Sequence, residues 1–382
     1  MEINYDAKNP TKIKVFGAGG GGSNAVARMY QEGLQDVELY IVNTDLQHLN
    51  YLPVPNKIHI GEGISKGLGA GSKPEIGREA ALENLDKIKE AMEGADMVFI
   101  AAGLGGGTGT GASPVITQAA KEMGILTVAV VTKPFSFEGK VRQKIAEEGL
   151  EQLKERVDTY LVIHNDRLLQ VAGKNVSFAN AFKLVDNILY RSVKGITDLI
   201  LVPGLINPDF ADVKTIMENA GKALIGVGSG KGENKIEEAV VTATSSPLLE
   251  GTSIQGAKRL LINVEVSPDL SFMEVNEAVS QIRELAHEEA HIIFGASIIN
   301  DVEDEIKITV IATDFEDERK SESKPSLKTR AFGIIEKKEP TRKETTSHAE
   351  EAKPKEDLKS ESLSYDELEI PPWIRKGKRS WV

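Results

Sequence analysis

The 382-residue chain predicts an α/β fold in which a doubly wound parallel sheet is joined by one long helix to a smaller second α/β domain, followed by an unstructured tail. Three observations predict it. Short runs rich in β-branched residues lack the alternation of a half-solvated strand, so they read as strands buried on both faces. Helical patterns separate most of these runs, and the order strand, helix, strand, helix selects parallel pairing. Past residue 315 large apolar residues thin out while charge persists.

Taken in order, the expected strands of the first domain (12–175) are 13–16 (IKVF), 39–42 (LYIV), 97–102 (MVFIAA), 125–131 (ILTVAVV) and 159–163 (TYLVI). Helices are expected at 24–30, 114–123 and 139–157. Residues 178–201 place Phe182, Val185, Ile188, Leu189, Val193, Ile196, Leu199 and Ile200 at helical spacing, long enough for a central helix (176–202) between two domains. The second domain (203–315) reads as strands at 223–228, 259–266, 291–299 and 306–312, with helices at 235–242 and 271–287.

The charge divides unevenly. Residues 316–382 hold 16 basic and 15 acidic side chains, leaving 30 basic and 43 acidic in residues 1–315, so the expected folded part carries −13 and the tail is close to neutral. Residues 316–364 have no apolar period and too few large apolar groups to offset chain entropy, the mark of a disordered linker. In 365–374 (YDELEIPPWI) apolar side chains return, and both tryptophans, Trp373 and Trp381, lie in this last stretch. An apolar cluster on a flexible tether reads as a docking peptide (365–382).

Several classes fall away. The absence of cysteine excludes a disulfide scaffold, a zinc ribbon and a thiol nucleophile. An acidic chain is a poor nucleic-acid binder. The N-terminus lacks an apolar leader, and the longest apolar run falls short of the ~18 residues of a membrane span, so a cytoplasmic protein without a transmembrane segment is expected. His287-Glu288-Glu289-Ala290-His291 satisfies H-E-x-x-H, but a strand reading from His291 separates the two histidines, and the pattern is read as coincidence.

Glycine carries the functional signal. Of 35 glycines, 16 fall in residues 17–22, 61–71 and 103–111. Gly17, Gly19 and Gly22 satisfy G-x-G-x-x-G between a strand and a helix, which places backbone amides and a helix N-terminus where a phosphate can bind. The third cluster repeats this geometry as GGGTGTG, with Ser113 and Pro114 suited to the N-cap and first position of the next helix. Two such loops at the ends of parallel strands can converge on one polyphosphate. There is no Walker lysine motif, so amides, Thr108, an arginine and a divalent metal would meet the phosphate charge. A dinucleotide oxidoreductase explains only the first loop, since Asn43 and Thr44 stand where its ribose-binding acid belongs; a non-enzymatic scaffold leaves the loops idle. In NPDFAD, Asn207 reads as an N-cap with Pro208 at the first helical position and Asp209 in the first turn. Glu138 and Arg142 read as an i,i+4 pair.

The segments GAGGGGSNAV, GLGAGSKPEIGREAA, GGGTGTGASPVI, PFSFEGKVR and NPDFADVKTIM, in this order and spacing, resemble the FtsZ family of bacterial tubulin-like GTPases from about residue 11 to 313, and YDELEIPPWIRK is similar to that family's C-terminal peptide. The resemblance implies a tubulin-like fold with a Rossmann-like GTPase domain that binds GTP and GDP, with Mg2+ held through the nucleotide. It implies Gly20, Gly21, Gly22 and Asn24 at the phosphates and ribose, Gly107, Thr108 and Gly109 around the phosphates, and Ala70 and Gly71 at the γ-phosphate. Glu138 and Arg142 would contact ribose or phosphate, and Phe182, Asp186 and Asn165 would stack on and read guanine. Asn207, Asp209 and Asp212 would act on the nucleotide of the next subunit in a head-to-tail filament, which forms the division ring at mid-cell. Ile370, Pro371, Trp373, Ile374 and Arg375 would bind membrane-tethering and regulatory division proteins. Pro208 and Trp373 depart from the family's usual residues.

Overall fold

The computed structural model describes residues 11–34, 36–172, 176–245, 254–299 and 303–315; the expected linker and docking peptide, with Ile370 to Arg375, lie outside these residues. The first half of the chain supplies β1 (Ile13–Ala18), β2 (Val37–Asn43), β3 (Asn56–His59), β4 (Met97–Gly103), β5 (Leu126–Lys133) and β6 (Thr159–His164), all paired in parallel in the spatial order β3-β2-β1-β4-β5-β6. Its helices are α1 (Gly19–Gln31), α2 (Leu46–Tyr51), α3 (Glu62–Ser65), α4 (Pro74–Glu83), α5 (Leu85–Met92), α6 (Thr108–Glu122), α7 (Lys140–Lys154) and α8 (Asn165–Ala172). After α9 (Phe178–Leu201) and α10 (Phe210–Met217) come β7 (Gly221–Lys231), α11 (Lys235–Thr244), β8 (Ala257–Val266), α12 (Phe272–Leu285), β9 (His291–Ile298) and β10 (Glu305–Phe315).

Burial on both faces explains why the strands show no alternation. Along β4, Met97, Phe99 and Ala101 join Ile13, Val15, Leu161 and the buried side of α9 in one core, while Val98, Ile100 and Ala102 join Ile88, Ile116 and Leu150 in another. A third core lies between α11, α12 and the later strands, built on Ile236, Val240, Ile282, Leu260 and Val310. The strand β7 serves both halves of the sheet. Its residues 221–223 pair with β6 in parallel, and from Leu224 it pairs antiparallel with β10, which in turn lies beside β8.

The helix α9 runs 24 residues, ~36 Å at 1.5 Å per residue. Ser177 caps it by accepting a hydrogen bond from the Asn180 amide. Its buried residues share a core with Val15 and Leu161 of the first half and with Leu261, Ile293 and Ile311 of the second, so it is packed on both sides.

Several expectations differ from the structure, beginning with the helix expected at 24–30, which starts at Gly19. The helix expected from Ser113 and Pro114 begins at Thr108, with Pro114 inside it. Ser113 donates to the Gly109 carbonyl at 2.7 Å instead of capping. Gly109 and Gly111 lie inside this helix, and the closeness of α4 requires glycine there: a Cβ on Gly111 would lie 1.9 Å from the Pro74 carbonyl oxygen. The edge strand β3 was not anticipated, since NKIH buries none of its four residues fully.

Candidate functional site

The carboxyl ends of β1 and β4 lie side by side, with Ala18 opposite Ala102, so the chain leaves both strands at one edge of the sheet and turns into α1 and α6 there. The two turns touch through backbone alone. A Cβ on Gly109 would sit 2.6 Å from the Gly103 oxygen and 3.2 Å from that of Ala18. The middle glycine cluster closes on the same place, because a Cβ on Gly107 would meet that of Ala70 at 2.7 Å. Close approach explains Gly19, Gly107 and Gly109, whereas Gly20, Gly71 and Gly106 face open space.

Between them lies a cleft of about 620 Å³, within the usual range of ligand pockets. Neither α1 nor α6 has a side-chain N-cap or an acidic residue in its first turn. Two helices of 13 and 15 residues therefore present uncapped amides and positive dipole ends to one cavity, the arrangement that receives anions. Among the described residues Arg142 is the one arginine or lysine lining the cavity, ion-paired to Glu138, whose other oxygen accepts from the Phe135 amide at 2.9 Å.

The far end of the cleft is lined by α9. Phe182 is partly exposed and packs edge-on against Phe135, ring centroids 5.3 Å apart. Asn165 buries its Oδ1 with no hydrogen-bond partner among the described residues, and burial pushes the Asp186 carboxyl up to about 6, against a smaller opposing pull from Arg28. An aromatic edge, an orphaned acceptor and a desolvated carboxylate together suit a flat ligand that carries N–H donors.

The structure brings together thirteen of the fourteen expected nucleotide-binding residues: Gly20, Gly21, Asn24, Ala70, Gly71, Gly107, Thr108, Gly109, Glu138, Arg142, Asn165, Phe182 and Asp186 all line the cleft. Gly22 does not. It lies beneath, where a Cβ would come within 2.1 Å of the Ala101 oxygen, so it serves helix–strand packing. Sequence reasoning missed Asn43, Asp45, His48, Thr132 and Pro134, which also line the cleft. The polar run Asn43-Thr44-Asp45 closing a buried strand was the available signal; Thr44 and Thr108 share a 2.6 Å hydroxyl contact.

Asn207, Asp209 and Asp212 do not reach the cleft. The N-cap of α10 is Asp209 rather than Asn207, and it forms a capping box with Asp212 in which each carboxylate accepts from the other residue's amide, at 2.8 and 3.2 Å. The three-residue spacing needed for the box is present only from Asp209. Asn207 instead finishes α9: its side chain accepts from the Gly204 amide at 2.8 Å and donates to the Val202 carbonyl at 3.2 Å. His287 lies past the end of α12 and His291 opens β9, and no cluster of metal-binding side chains occurs among the described residues. No helix among them is long and apolar enough to cross a membrane.

Residues 12–173 match the Tubulin/FtsZ family GTPase domain, and residues 221–316 the C-terminal domain of the FtsZ family. The chain is 53% identical to the cell division protein FtsZ of Aquifex aeolicus over 331 residues, 87% of this chain and 89% of that one. Among solved structures, an empty FtsZ dimer from M. jannaschii superposes with a TM-score of 0.75 at 45% identity, covering 79% of this chain and 88% of the other. At 21% identity the CetZ2 protein of Haloferax volcanii shares the fold, with a TM-score of 0.68 over 82% of this chain and 96% of its own. A cleft built by three glycine clusters on a tubulin-like sheet is thus accompanied by close sequence kinship along most of the chain, which belongs to the FtsZ family of cell-division GTPases.

Proposed function

We propose that the cleft holds GTP with its phosphates at the amides of α1 and α6 and its guanine at Phe182, Asn165 and Asp186, and that a second copy stacked head to tail completes the hydrolytic site. The observation that carries this reading is the separation of the two sets of residues along α9. Asp186 lines the cleft, whereas Asn207 is bonded to Val202, sixteen residues further along the same helix, ~24 Å away. One chain cannot apply both sets to one nucleotide, but a translated copy can.

Apolar exposure at the two ends supports stacking. Leu68 and Phe137 beside the cleft are 85% and 61% exposed, and Leu205 beside the acidic loop is 69% exposed. Contact between unlike surfaces does not close on itself and so extends into a filament, proposed here as the material of a division ring at mid-cell.

Phosphoryl transfer asks the protein mainly for positioning and for stabilisation of charge. The uncapped amides and Arg142 meet part of the triphosphate charge. Mg2+, riding on the phosphate oxygens, would neutralise the rest. In the capping box Asp209 uses Oδ1 and Asp212 uses Oδ2, so each retains a second oxygen to accept a hydrogen bond from water and aim its lone pair at the γ-phosphorus.

The test is complementation. Asp212→Ala should bind GTP normally and hydrolyse it at least about a hundredfold more slowly. Gly20→Leu, whose Cβ meets nothing within 4 Å, should fold and block the cleft. Mixed in equal amounts, the two inactive variants should recover about a quarter of the wild-type rate, the share of random head-to-tail junctions that join an intact cleft to an intact loop. A mixture as inactive as its parts overturns the two-subunit site.

A further inference from the structure

We propose that His48 is a positioning residue that fixes the Asn24 amide as a hydrogen-bond donor toward the oxygen atoms of a bound nucleoside di- or triphosphate. The inference rests on reading the cleft as a nucleotide site and adds to it a residue that orients one of its walls.

The polarity of the arrangement is set by a backbone group. The Asp45 N–H can only donate, and it reaches Oδ1 of Asn43 at 3.3 Å. Asn43 ends β2 and is 3% exposed, so its amide is held in a packed site. With Oδ1 taken by the backbone, the Asn43 NH2 faces Nδ1 of His48 at 3.2 Å. An NH2 has no lone pair to offer, so Nδ1 accepts, and the neutral ring carries its proton on Nε2. Nε2 lies 3.0 Å from Oδ1 of Asn24. The acceptor end of Asn24 is thereby occupied, and its NH2 is left for the cleft that Asn24 lines.

The imidazole is itself held. Its own backbone amide donates to Oδ1 of Asp45, the N-cap of α2, at 3.0 Å. A chain of fixed donors and acceptors thus runs from the end of β2 through α2 to the second turn of α1. Reversing Asn24 would present carbonyl lone pairs to phosphate or ribose oxygens, which repel them. The relay selects the orientation that attracts, and nothing in it needs a charged side chain at the ligand.

Affinity for GDP, measured by equilibrium titration of the full chain, tests the relay. Asn24→Ala should weaken GDP binding about five- to tenfold, the worth of one hydrogen bond. His48→Leu should cost the same, with turnover at saturating GTP little altered and KM raised. The double variant should be no weaker than either single one, because His48 acts only through Asn24. His48→Gln, which again offers one donor and one acceptor, should recover affinity to within about twofold of wild type. Costs that add in the double variant, or a Gln variant no better than Leu in a chain that melts normally, overturn the relay. Should Asn24→Ala leave GDP affinity unchanged, the proposal fails at its first step. The reading of the cleft itself fails only if Gly20→Leu also binds GDP as wild type does.

Discussion

The two ends of α9 are finished to different degrees. At the cleft end, among the described residues, polar groups are incompletely satisfied: the Asn165 Oδ1 is buried and unpaired, the Asp186 carboxyl is raised to about 6 by burial, and the first turns of α1 and α6 have no side-chain caps. At the other end the loop satisfies itself, with Asn207 bridging two backbone groups and Asp209 and Asp212 closing a capping box. On the proposed reading, the contrast marks where each missing partner would enter. A site with orphaned groups is completed by a ligand, whereas a self-satisfied loop holds its shape until another molecule is brought to it.

The largest expected effect tests whether the cleft end owes its geometry to backbone contact. Gly22 and Gly20 are two residues apart in the first turn of α1, yet a Cβ on Gly22 would lie 2.1 Å from the Ala101 oxygen while one on Gly20 meets nothing. Gly22→Ala should destabilise the fold by about 3 kcal/mol, the upper end of ordinary overpacking. Gly20→Leu should unfold in urea like the wild type while losing nucleotide. Equal stability of the two variants would mean that α1 does not sit against β4 as closely as described.

These contrasts were only partly legible in the sequence. The strands buried on both faces read as uniform apolar runs and the glycine clusters stand out in their spacing, whereas Phe182 and Asp186 are placed at the base only by resemblance to the FtsZ family. What escaped notice depends on neighbours distant in the chain. The residues 107–111 look like loop until α4 is seen crossing them, and nothing local in NKIH marks an edge strand. Asn43 and His48 have no motif; the roles proposed for them rest on the side-by-side ends of β1 and β2. The N-cap of α10 slipped by two residues because Asn207 and Asp209 are both good caps, and only the reciprocal bond from Asp212 decides between them.

A second test addresses the desolvated carboxylate. Free Asp186 is protonated below about 6, and a neutral carboxyl, with no charge and one oxygen turned donor, accepts far more weakly from two guanine N–H groups. Guanine-nucleotide affinity should therefore begin to fall near pH 6, approaching tenfold per pH unit below it, whereas an ordinary carboxylate would hold to about pH 4. The stability of the nucleotide-free protein should move the other way. The folded value lies above the unfolded one, so the buried charge costs stability above pH 6, and that cost is relieved as pH falls toward about 4. Asp186→Asn should flatten both profiles. Titrations of wild type that stay flat between pH 7 and 5 would remove Asp186 from base recognition.

The smallest expected change in stability falls at the other end of the helix, where it separates a structural role from a chemical one. Asparagine caps a helix about as well as aspartate does, so Asp209→Asn should keep the hydrogen bond from the Asp212 amide and hold the melting free energy within about 0.5 kcal/mol of wild type. The amide lacks the charge needed to polarise water beside a γ-phosphate. If Asp209 acts on the neighbouring nucleotide, turnover should fall while filament assembly, followed by light scattering with GTP, proceeds. If Asp209 is only a cap, turnover should be as untouched as stability, and Asp209→Ala should lose about 1 kcal/mol with activity falling only as the loop frays. The pair of variants thus asks of one residue what the two ends of α9 pose for the whole molecule: whether a group already satisfied in the single chain still has a second partner to serve in the next.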